Sequence, residues 1–206
     1  MRPFVSAVIA TVTFASMGFA QTRAGSRSGS SAPSSGTSEW AVDGSLGFVA
    51  PDFGNASLGF DVMGAAEWHP KSTMPVGFRG EIGWDYFGYG TGGCTGCSAS
   101  SNILRFDVDA LWDIPVHWTS KLQPYLLGGL GIYHVSTSFS CNDVNNIYCN
   151  GIGGSDTNLG INLGGGLRYP FGPVQGFFEL RWHEAFAAGD AAFFPFQFGV
   201  RYAIPK

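Results

Sequence analysis

Apolar and polar residues alternate with a period of two along most of the chain after Trp40. A period of two is typical of β-strands whose two faces differ in chemistry. In one such segment, Ile82 and Trp84 fall on the apolar face and Glu81 falls on the polar face. The alternation predicts an all-β protein of eight strands, at residues 41–50, 56–68, 76–86, 102–114, 123–135, 158–169, 175–184 and 193–203. The fifth of these is apolar on both faces, so the pattern does not assign its register.

Charged residues within the predicted strands keep to one face. Leaving aside Glu184 at a strand end, all charges share one side in each strand that carries two or more. This polar face has Arg, Asp and Glu but no Lys, since Lys71, Lys121 and Lys206 lie outside the strands. Five arginines and nine acids leave an excess of four negative charges, 9 − 5, which bound water, a cation or a shared proton would balance. The predicted interior network comprises Asp43, Asp61, Glu67, Arg79, Glu81, Asp85, Arg105, Asp107, Asp109, Asp113, Arg168, Glu179, Arg181 and Arg201.

The apolar face has features of a surface in contact with lipid. A soluble sandwich or lipocalin-like barrel would bury that face, whereas an outer-membrane barrel turns it outward and keeps charges in its lumen. Aromatic residues lie at both ends of the apolar face, as at the two interfaces of a bilayer. They are Trp40, Trp68, Trp112, Tyr169 and Tyr202 at one end and Trp84, Tyr86, Trp182 and Phe194 at the other. Together with the missing lysines, this favours an eight-stranded antiparallel up-and-down transmembrane β-barrel.

The connections between the strands alternate in length. Short ones near 69–75, 115–122 and 170–174 carry Pro, while long ones at 87–101 and 136–157 are rich in Gly, Ser and Asn. Outer-membrane barrels have short periplasmic turns and longer external loops. We therefore expect the two long loops to face outward.

The N-terminal segments differ from the rest of the chain in composition. Residues 1–20 combine Arg2 with an apolar run that ends in Gly18-Phe19-Ala20, which is typical of a cleaved signal peptide. Residues 21–39 are rich in Ser and Gly, so we expect a flexible leader before a barrel at 40–206. Charged residues make up only 13% of the chain, about half of the roughly 25% found in soluble domains. The formal net charge of −4 argues against nucleic acid as a partner.

Four segments give the chain a family resemblance. They are PYLLGGLGIY (124–133), NLGGGLRYPFG (162–172), FFELRWH (177–183) and FQFGVRY (196–202). With them, the region from Trp40 to Tyr202 resembles the small outer-membrane β-barrel domain family, which groups with outer membrane proteins A and X. The resemblance implies a bacterial outer-membrane location with membrane lipid as a partner. Its motifs are diffuse, so they specify architecture better than function.

Four cysteines, Cys94, Cys97, Cys141 and Cys149, fall in the two long predicted loops. In an oxidising compartment they are candidates for disulfides, with three connectivities open. We favour bridges within each loop, and bridges that tie the two loops together stay open. A zinc site of four thiolates is the weaker alternative, because Cys141 and Cys149 are spaced too widely for a knuckle.

Two short segments contain residues of the kind used in acyl-transfer chemistry. Some eight-stranded outer-membrane barrels modify lipid A with a His, a Ser and an acid at the membrane rim. His134 and Ser136 fall on one face of the fifth strand, with Asp143 as a candidate acid, whereas His183-Glu184 lacks the Ser. Such residues are common at barrel rims without catalysis, so we predict no catalytic residue. We also predict no cofactor and no bound metal.

The sequence thus predicts a monomeric, non-enzymatic outer-membrane barrel. Its stapled loops 87–101 and 136–157 would serve envelope integrity, adhesion or binding of an extracellular ligand or surface. One alternative is a small transport barrel for hydrophobic or tiny solutes, and a less favoured one is a lipid A modifying enzyme. For the lumen, we favour a packed ion-paired interior over a narrow cation or proton path, because eight strands leave little room.

Overall fold

The computed structural model describes residues 38–52, 56–70, 75–89, 97–116, 121–141, 153–186 and 191–205. It contains eight antiparallel strands that close into one barrel in chain order, which confirms the predicted fold class. The strands are β1 (Glu39–Pro51), β2 (Gly59–His69), β3 (Val76–Tyr89), β4 (Cys97–Asp113), β5 (Gln123–Cys141), β6 (Gly154–Phe171), β7 (Val174–Ala185) and β8 (Ala191–Ala203). The predicted signal peptide, and all of the predicted leader up to residue 37, lie outside the described residues.

Three strands are longer at one end than the sequence predicted. β4 begins at Cys97 instead of residue 102, β5 ends at Cys141 instead of 135, and β6 begins at Gly154 instead of 158. The predicted loops 87–101 and 136–157 were therefore wrong in extent, because both include strand residues. The added residues are mostly Ser and Thr, which lack the apolar alternation that marks the rest of each strand.

The two ends of the barrel differ in their connections. At one end, here called the turn end, β6 and β7 join through the two-residue turn 172–173. Gly172 has a φ of 66° there, a left-handed conformation that glycine adopts without strain. Both β1 and β8 also reach this end, where Ile204 N donates to Trp40 O at 2.8 Å. The opposite end, here called the loop end, is where β3 to β6 extend.

The structure assigns the register of β5, which the sequence left open. Tyr125, Leu127 and Tyr133 are buried inside the barrel. Leu126 and Leu130 alternate with them on the outside, and Leu130 is 68% exposed. This strand therefore contributes bulky side chains to both faces, which explains why its sequence shows no polar side.

Apolar side chains cover the outside of the barrel. Ile82, Val108 and Phe198 are each about half exposed or more, and each of the other five strands has at least one large apolar side chain that is 40% exposed or more. Trp40 packs against Trp68 at the turn end, with ring centroids 6.2 Å apart. No helix among the described residues is long and apolar enough to span a bilayer. The exterior is chemically the reverse of a soluble protein's surface, as expected where lipid is the surrounding solvent.

Candidate functional site

The barrel interior holds the charged residues that the sequence placed on one face. Thirteen of the fourteen predicted network residues are buried. The exception, Asp113, lies at the turn end with its side chain 36% exposed, where it accepts a hydrogen bond from Arg168 at 3.1 Å. Each of the five arginines contacts between two and four carboxylates within 4.0 Å. Because each guanidinium is shared among several carboxylates, the free-energy cost of burying more acids than arginines is reduced.

Glu67 is the centre of the charge cluster nearest the turn end. Its two carboxylate oxygens accept from Arg168 Nη2 at 2.6 Å and from Arg201 Nε at 2.7 Å. His69 Nε2 lies 3.4 Å from the same carboxylate and its Nδ1 lies 3.5 Å from Asp113. Arg168 also stacks over the Tyr125 ring, 4.1 Å from its centroid. Arg79 lies 3.7 Å from the same carboxylate, so arginines from three strands meet on one fully buried acid.

Glu179 holds together the next cluster toward the loop end. Arg79 Nη2 donates to both of its oxygens, at 2.7 and 2.9 Å. The hydroxyl of Tyr125 and the Nε of Arg181 donate to the same carboxylate. Arg181 in turn reaches Glu81 across the lumen. The Arg79–Glu179 and Arg181–Glu81 contacts each join residues one hundred positions apart on β3 and β7, so they fix opposite walls of the barrel against each other.

Arg105 forms the third cluster, beneath the loop end. Its guanidinium contacts Asp61 at 2.8 Å and Asp107 at 3.5 Å, and it also donates to Asp85. Gly83 faces this guanidinium, and a Cβ at Gly83 would lie 2.4 Å from its central carbon. Glycine at position 83 therefore provides the space in which the arginine lies.

Neutral side chains complete the network, and the sequence prediction did not include them. Asn162 donates to Asp109 at 2.8 Å, and Gln197 donates to Asp61 at 2.7 Å. Tyr133 donates to Asp107 at 2.8 Å and lies 3.0 Å from His183 Nδ1. Asn162, His183 and Gln197 have the same parity as the charges, which was a usable signal. Tyr125 and Tyr133 lie on the strand whose register the pattern left open.

An apolar layer lies in the lumen above the charged clusters. Six strands contribute one fully buried side chain each, and Ala56 and Val135 pack against the layer. Its members are Val49, Phe87, Ile103, Tyr133, Ala185 and Phe193. Phe87 and Tyr133 both meet the Phe193 ring edge-on, with centroids 6.2 and 6.0 Å apart. The layer closes the polar interior toward the loop end.

Beyond this layer, β4, β5 and β6 form a polar sheet, here called the projecting sheet (97–101, 136–141 and 154–158). Ser98 Oγ lies 2.8 Å from Ser140 Oγ across the β4–β5 ladder, and Ser101 Oγ lies 3.3 Å from Thr137 Oγ1. Hydroxyl side chains, most of them exposed, distinguish this sheet from the apolar outer surface of the barrel below it.

The projecting sheet has one edge without a neighbouring strand among the described residues. β6 pairs with β7 only from Gly160 onward, so residues 154–158 pair with β5 alone. Leu159 O accepts from Phe186 N on the β7 side. Backbone groups alternate in direction along a strand, so those of Ser155 and Thr157 point toward the same side. Asp156 Oδ1 accepts from Thr157 N at 2.9 Å, which covers one of these groups.

His134 and Ser136 lie on the outward face at the base of the projecting sheet. His134 is exposed, and its Nδ1 lies 2.8 Å from Thr157 Oγ1, so the ring has a threonine as its hydrogen-bond partner. Asp143, the candidate acid, lies outside the described residues. Across the described part of the chain, no group of three or more His, Cys, Asp or Glu is placed to hold a metal ion.

Two of the four cysteines lie in strands and not in loops, which corrects the sequence prediction. Cys97 begins β4 and Cys141 ends β5, and their backbones are directly opposite in the antiparallel ladder. Cys94 and Cys149 lie outside the described residues. The hairpin therefore brings together one cysteine from each predicted loop.

Several solved structures are similar to this chain. Neisserial surface protein A is 15% identical, with a TM-score of 0.52 and coverage of 80% of this chain and 96% of that one. A major outer membrane protein from Thermus thermophilus is 16% identical, with a TM-score of 0.61 and coverage of 81% and 99%. The N-terminal β-barrel domain of Pseudomonas aeruginosa OprF is 16% identical, with a TM-score of 0.46 and coverage of 81% and 97%. No curated protein sequence matches the chain.

The family model for the outer membrane protein beta-barrel domain matches residues 8–203. That range covers all eight strands. The apolar exterior, the charged lumen and the aromatic residues at both ends of the barrel suit the same environment. The chain therefore belongs to the outer membrane β-barrel domain family and is a protein of the bacterial outer membrane.

Proposed function

We propose that this protein is a non-enzymatic surface-interaction barrel that binds extracellular partners through its projecting sheet, in adhesion or envelope contacts. The main observation that supports this proposal is the unequal length of the strands. β4, β5 and β6 have 17, 19 and 18 residues, whereas the other five have between 11 and 14. About 9–11 residues are enough for a tilted strand to cross a bilayer. The extra residues extend beyond the membrane at the loop end.

The open edge of β6 suggests how the projecting sheet binds. An edge strand offers free N–H and C=O groups to an extended segment of another protein. Ser155 supplies such groups, and the side chains around it are small and hydroxylic. The sheet therefore suits an extended, weakly charged peptide segment as its partner.

Ser155→Pro tests this binding mode. Proline removes the edge-facing N–H and leaves the ladder to β5 intact, because that ladder uses the alternate residues. Bacteria that display the variant should lose binding to cultured epithelial monolayers, while the heat-modifiable gel mobility of the folded barrel stays unchanged. Ser138→Ala, an exposed position of the same sheet away from the edge, is the matched control. Unchanged binding by Ser155→Pro would refute the edge as the contact.

Disulfides that staple the loop end are part of the proposal. The register of Cys97 against Cys141 supports a bridge across the β4–β5 hairpin, and Cys94 and Cys149 would then form the second bridge. Directly opposed residues of an antiparallel pair have Cα separations of about 4.5–5.5 Å, within the range that disulfides use. Non-reducing peptide mapping should recover a Cys97–Cys141 peptide pair. A Cys94–Cys97 peptide pair would instead favour disulfides within each predicted loop and would contradict the bridge across the hairpin.

The closed lumen favours surface interaction over solute transport. The apolar layer spans the lumen with side chains from six strands, and the clusters below it interlock across the barrel. The full-length protein in a planar bilayer should show no discrete conductance steps. Regular single-channel steps would instead favour the transport barrel.

The lipid A modifying enzyme is tested by mass spectrometry of lipid A. Wild-type protein and Ser136→Ala should give the same lipid A mass profile when each is expressed in the same host. A mass shift that requires Ser136 would establish acyl chemistry at the rim of the barrel.

A further inference from the structure

An open apolar cavity of about 340 Å³ lies on the outer side of the barrel near the turn end, and Gly176 of β7 lines it. Phe177 is buried inside the barrel and Phe178 is exposed outside it, so Gly176 faces outward with Phe178. In the ladders on either side, Gly176 is opposite Tyr169 of β6 and Val200 of β8. The cavity is therefore a gap in the outer surface where one strand lacks a side chain.

Aromatic rings surround this gap. Tyr169 and Phe171 form one pair beside the β6–β7 turn, with ring centroids 4.9 Å apart. Phe178 and Phe198 form a second pair, 5.2 Å apart, farther from the turn. All four line the cavity. A Cβ at Gly176 would lie 2.8 Å from the Phe171 ring, so this ring lies close over the glycine backbone. The two aromatic pairs leave a slot of a shape that suits a thin apolar chain.

An outward glycine alone does not produce such a slot. Gly44 of β1 also faces outward, and a Cβ there would meet nothing within 4 Å. Its partners in the two ladders are Gly64 and Val200, neither of which carries a ring. The outer surface around Gly44 is therefore open, whereas rings enclose the space over Gly176.

The location of the cavity identifies the kind of molecule that fills it. The chain belongs to an outer-membrane barrel family and its outer side is apolar, so the cavity opens toward lipid. Short turns of such barrels face the periplasm, which places the cavity in the periplasmic leaflet. Tyr169 is one of the aromatic residues at this end of the barrel, and such residues lie at the level of the lipid headgroups. An acyl chain in the cavity therefore has its headgroup close by.

A cationic residue adjoins the cavity in the sequence. Lys121 directly precedes Leu122, which lines the cavity, and Lys121 is exposed. Among the residues that the structure describes, it is the only lysine. A lysine stem can follow an apolar surface while its ammonium group stays at the headgroup level. A positive charge beside an apolar slot complements a lipid with an anionic headgroup.

We propose that the cavity over Gly176 binds an anionic glycerophospholipid of the periplasmic leaflet. One acyl chain lies between the two aromatic pairs, and the phosphate of the headgroup pairs with Lys121. The rings offer a large apolar contact area at a low cost in conformational entropy, because each has few rotatable bonds. The lysine contributes the preference for a negatively charged lipid over a zwitterionic one.

Photo-crosslinking of the full chain in lipid vesicles tests the site. The protein is folded into phosphatidylcholine vesicles that contain a small fraction of phosphatidylglycerol with a photoreactive group in one acyl chain. Crosslinks mapped by mass spectrometry should be several-fold more frequent on Phe171 and Phe178 than on Phe78 of β3. Phe78 is the matched position, because it is also a phenylalanine near the turn end and is more exposed than Phe178. Equal crosslinking of the three would mean that lipid only surrounds the barrel, which would overturn the proposal.

Three variants separate the parts of the site. Gly176→Leu fills the cavity and should abolish the enrichment, whereas Gly44→Leu adds the same side chain to the open outer surface and should preserve it. Lys121→Gln should remove the excess of phosphatidylglycerol crosslinks over those from phosphatidylcholine with the same photoreactive chain. An enrichment that survives Gly176→Leu would refute the cavity as the site, and a lipid preference that survives Lys121→Gln would refute the headgroup contact.

Native mass spectrometry of the wild-type protein distinguishes lipid from a second copy of the chain without depending on the folding of a variant. After extraction from the same vesicles, the monomer should retain one phosphatidylglycerol molecule. A dimer without retained lipid would assign the cavity to an interface between two barrels and would overturn the proposal.

Discussion

β4 and β5 share one antiparallel ladder along their whole length, but the side-chain chemistry of the ladder differs between its two halves. Within the membrane half, Leu130 lies opposite Val108 on the outside while Gly131 lies opposite Asp107 on the inside. In the projecting half, Ser98 lies opposite Ser140 and hydroxyls occupy both faces. The antiparallel ladder is continuous across this change. The backbone ladder therefore forms both in lipid and in water. The side chains differ between the two halves because one half contacts lipid and the other contacts water.

The membrane half depends on its interior charge pairs, so removing one should have the largest effect. Arg105→Leu leaves Asp61, Asp85 and neighbouring acids buried without their shared cation. Breaking a buried pair in this way costs about 3–5 kcal/mol. Urea unfolding of the barrel in lipid vesicles should show this loss. An unchanged unfolding midpoint would mean that the ion pairs do not stabilise the barrel.

A charge on the outer face should distinguish the two halves directly. Leu130→Arg places a cation on the lipid-facing belt, which costs about 2–4 kcal/mol near the bilayer centre. Ser138→Arg, on the same face of β5 but in the projecting half, should change stability little. The same unfolding measurement on both variants checks this. Equal losses would contradict the assignment of the membrane boundary.

Two glycines on opposite faces give a smaller contrast within the membrane half. A Cβ at Gly131 would lie 2.0 Å from Asp107 Oδ1, whereas one at Gly44, which faces outward, meets nothing within 4 Å. Gly131→Ala should therefore destabilise the barrel by about 1–3 kcal/mol through overpacking. Gly44→Ala should be neutral or stabilising, because it reduces the entropy of the unfolded chain. If both variants unfold alike, interior space is not what requires glycine at position 131.

The smallest effect is expected in the projecting half. Ser98→Ala removes one exposed hydroxyl contact with Ser140, and such surface changes usually stay within about 0.5 kcal/mol. The barrel should unfold at the same urea concentration as the wild type. A loss as large as that of Gly131→Ala would show that the projecting sheet supports the fold of the membrane half.

The charged interior of the membrane half was predictable, because the alternation of apolar and polar residues is a local property of the chain. The parity of Arg79 and Glu81 already placed them on one face, and the structure buries both. The extent of the projecting sheet was not predictable, because Ser98 and Ser140 form a ladder without any contrast between the faces. Tyr133 was missed for a related reason, since its strand is apolar on both sides.

The sequence by itself determined the number of strands, the two faces of every strand except β5, and the lipid-facing exterior, because each of these follows from residues that are close together in the chain. Only the tertiary structure decided which charges meet. Arg79 and Glu179 pair across one hundred residues, and among the described residues no arginine forms an ion pair with Asp43, although Arg201 lies opposite it. Barrel closure and register set these distances, and no local pattern encodes them. The alternation within each strand places the charges on one face. Which of these charges pair with each other is decided only when the barrel closes.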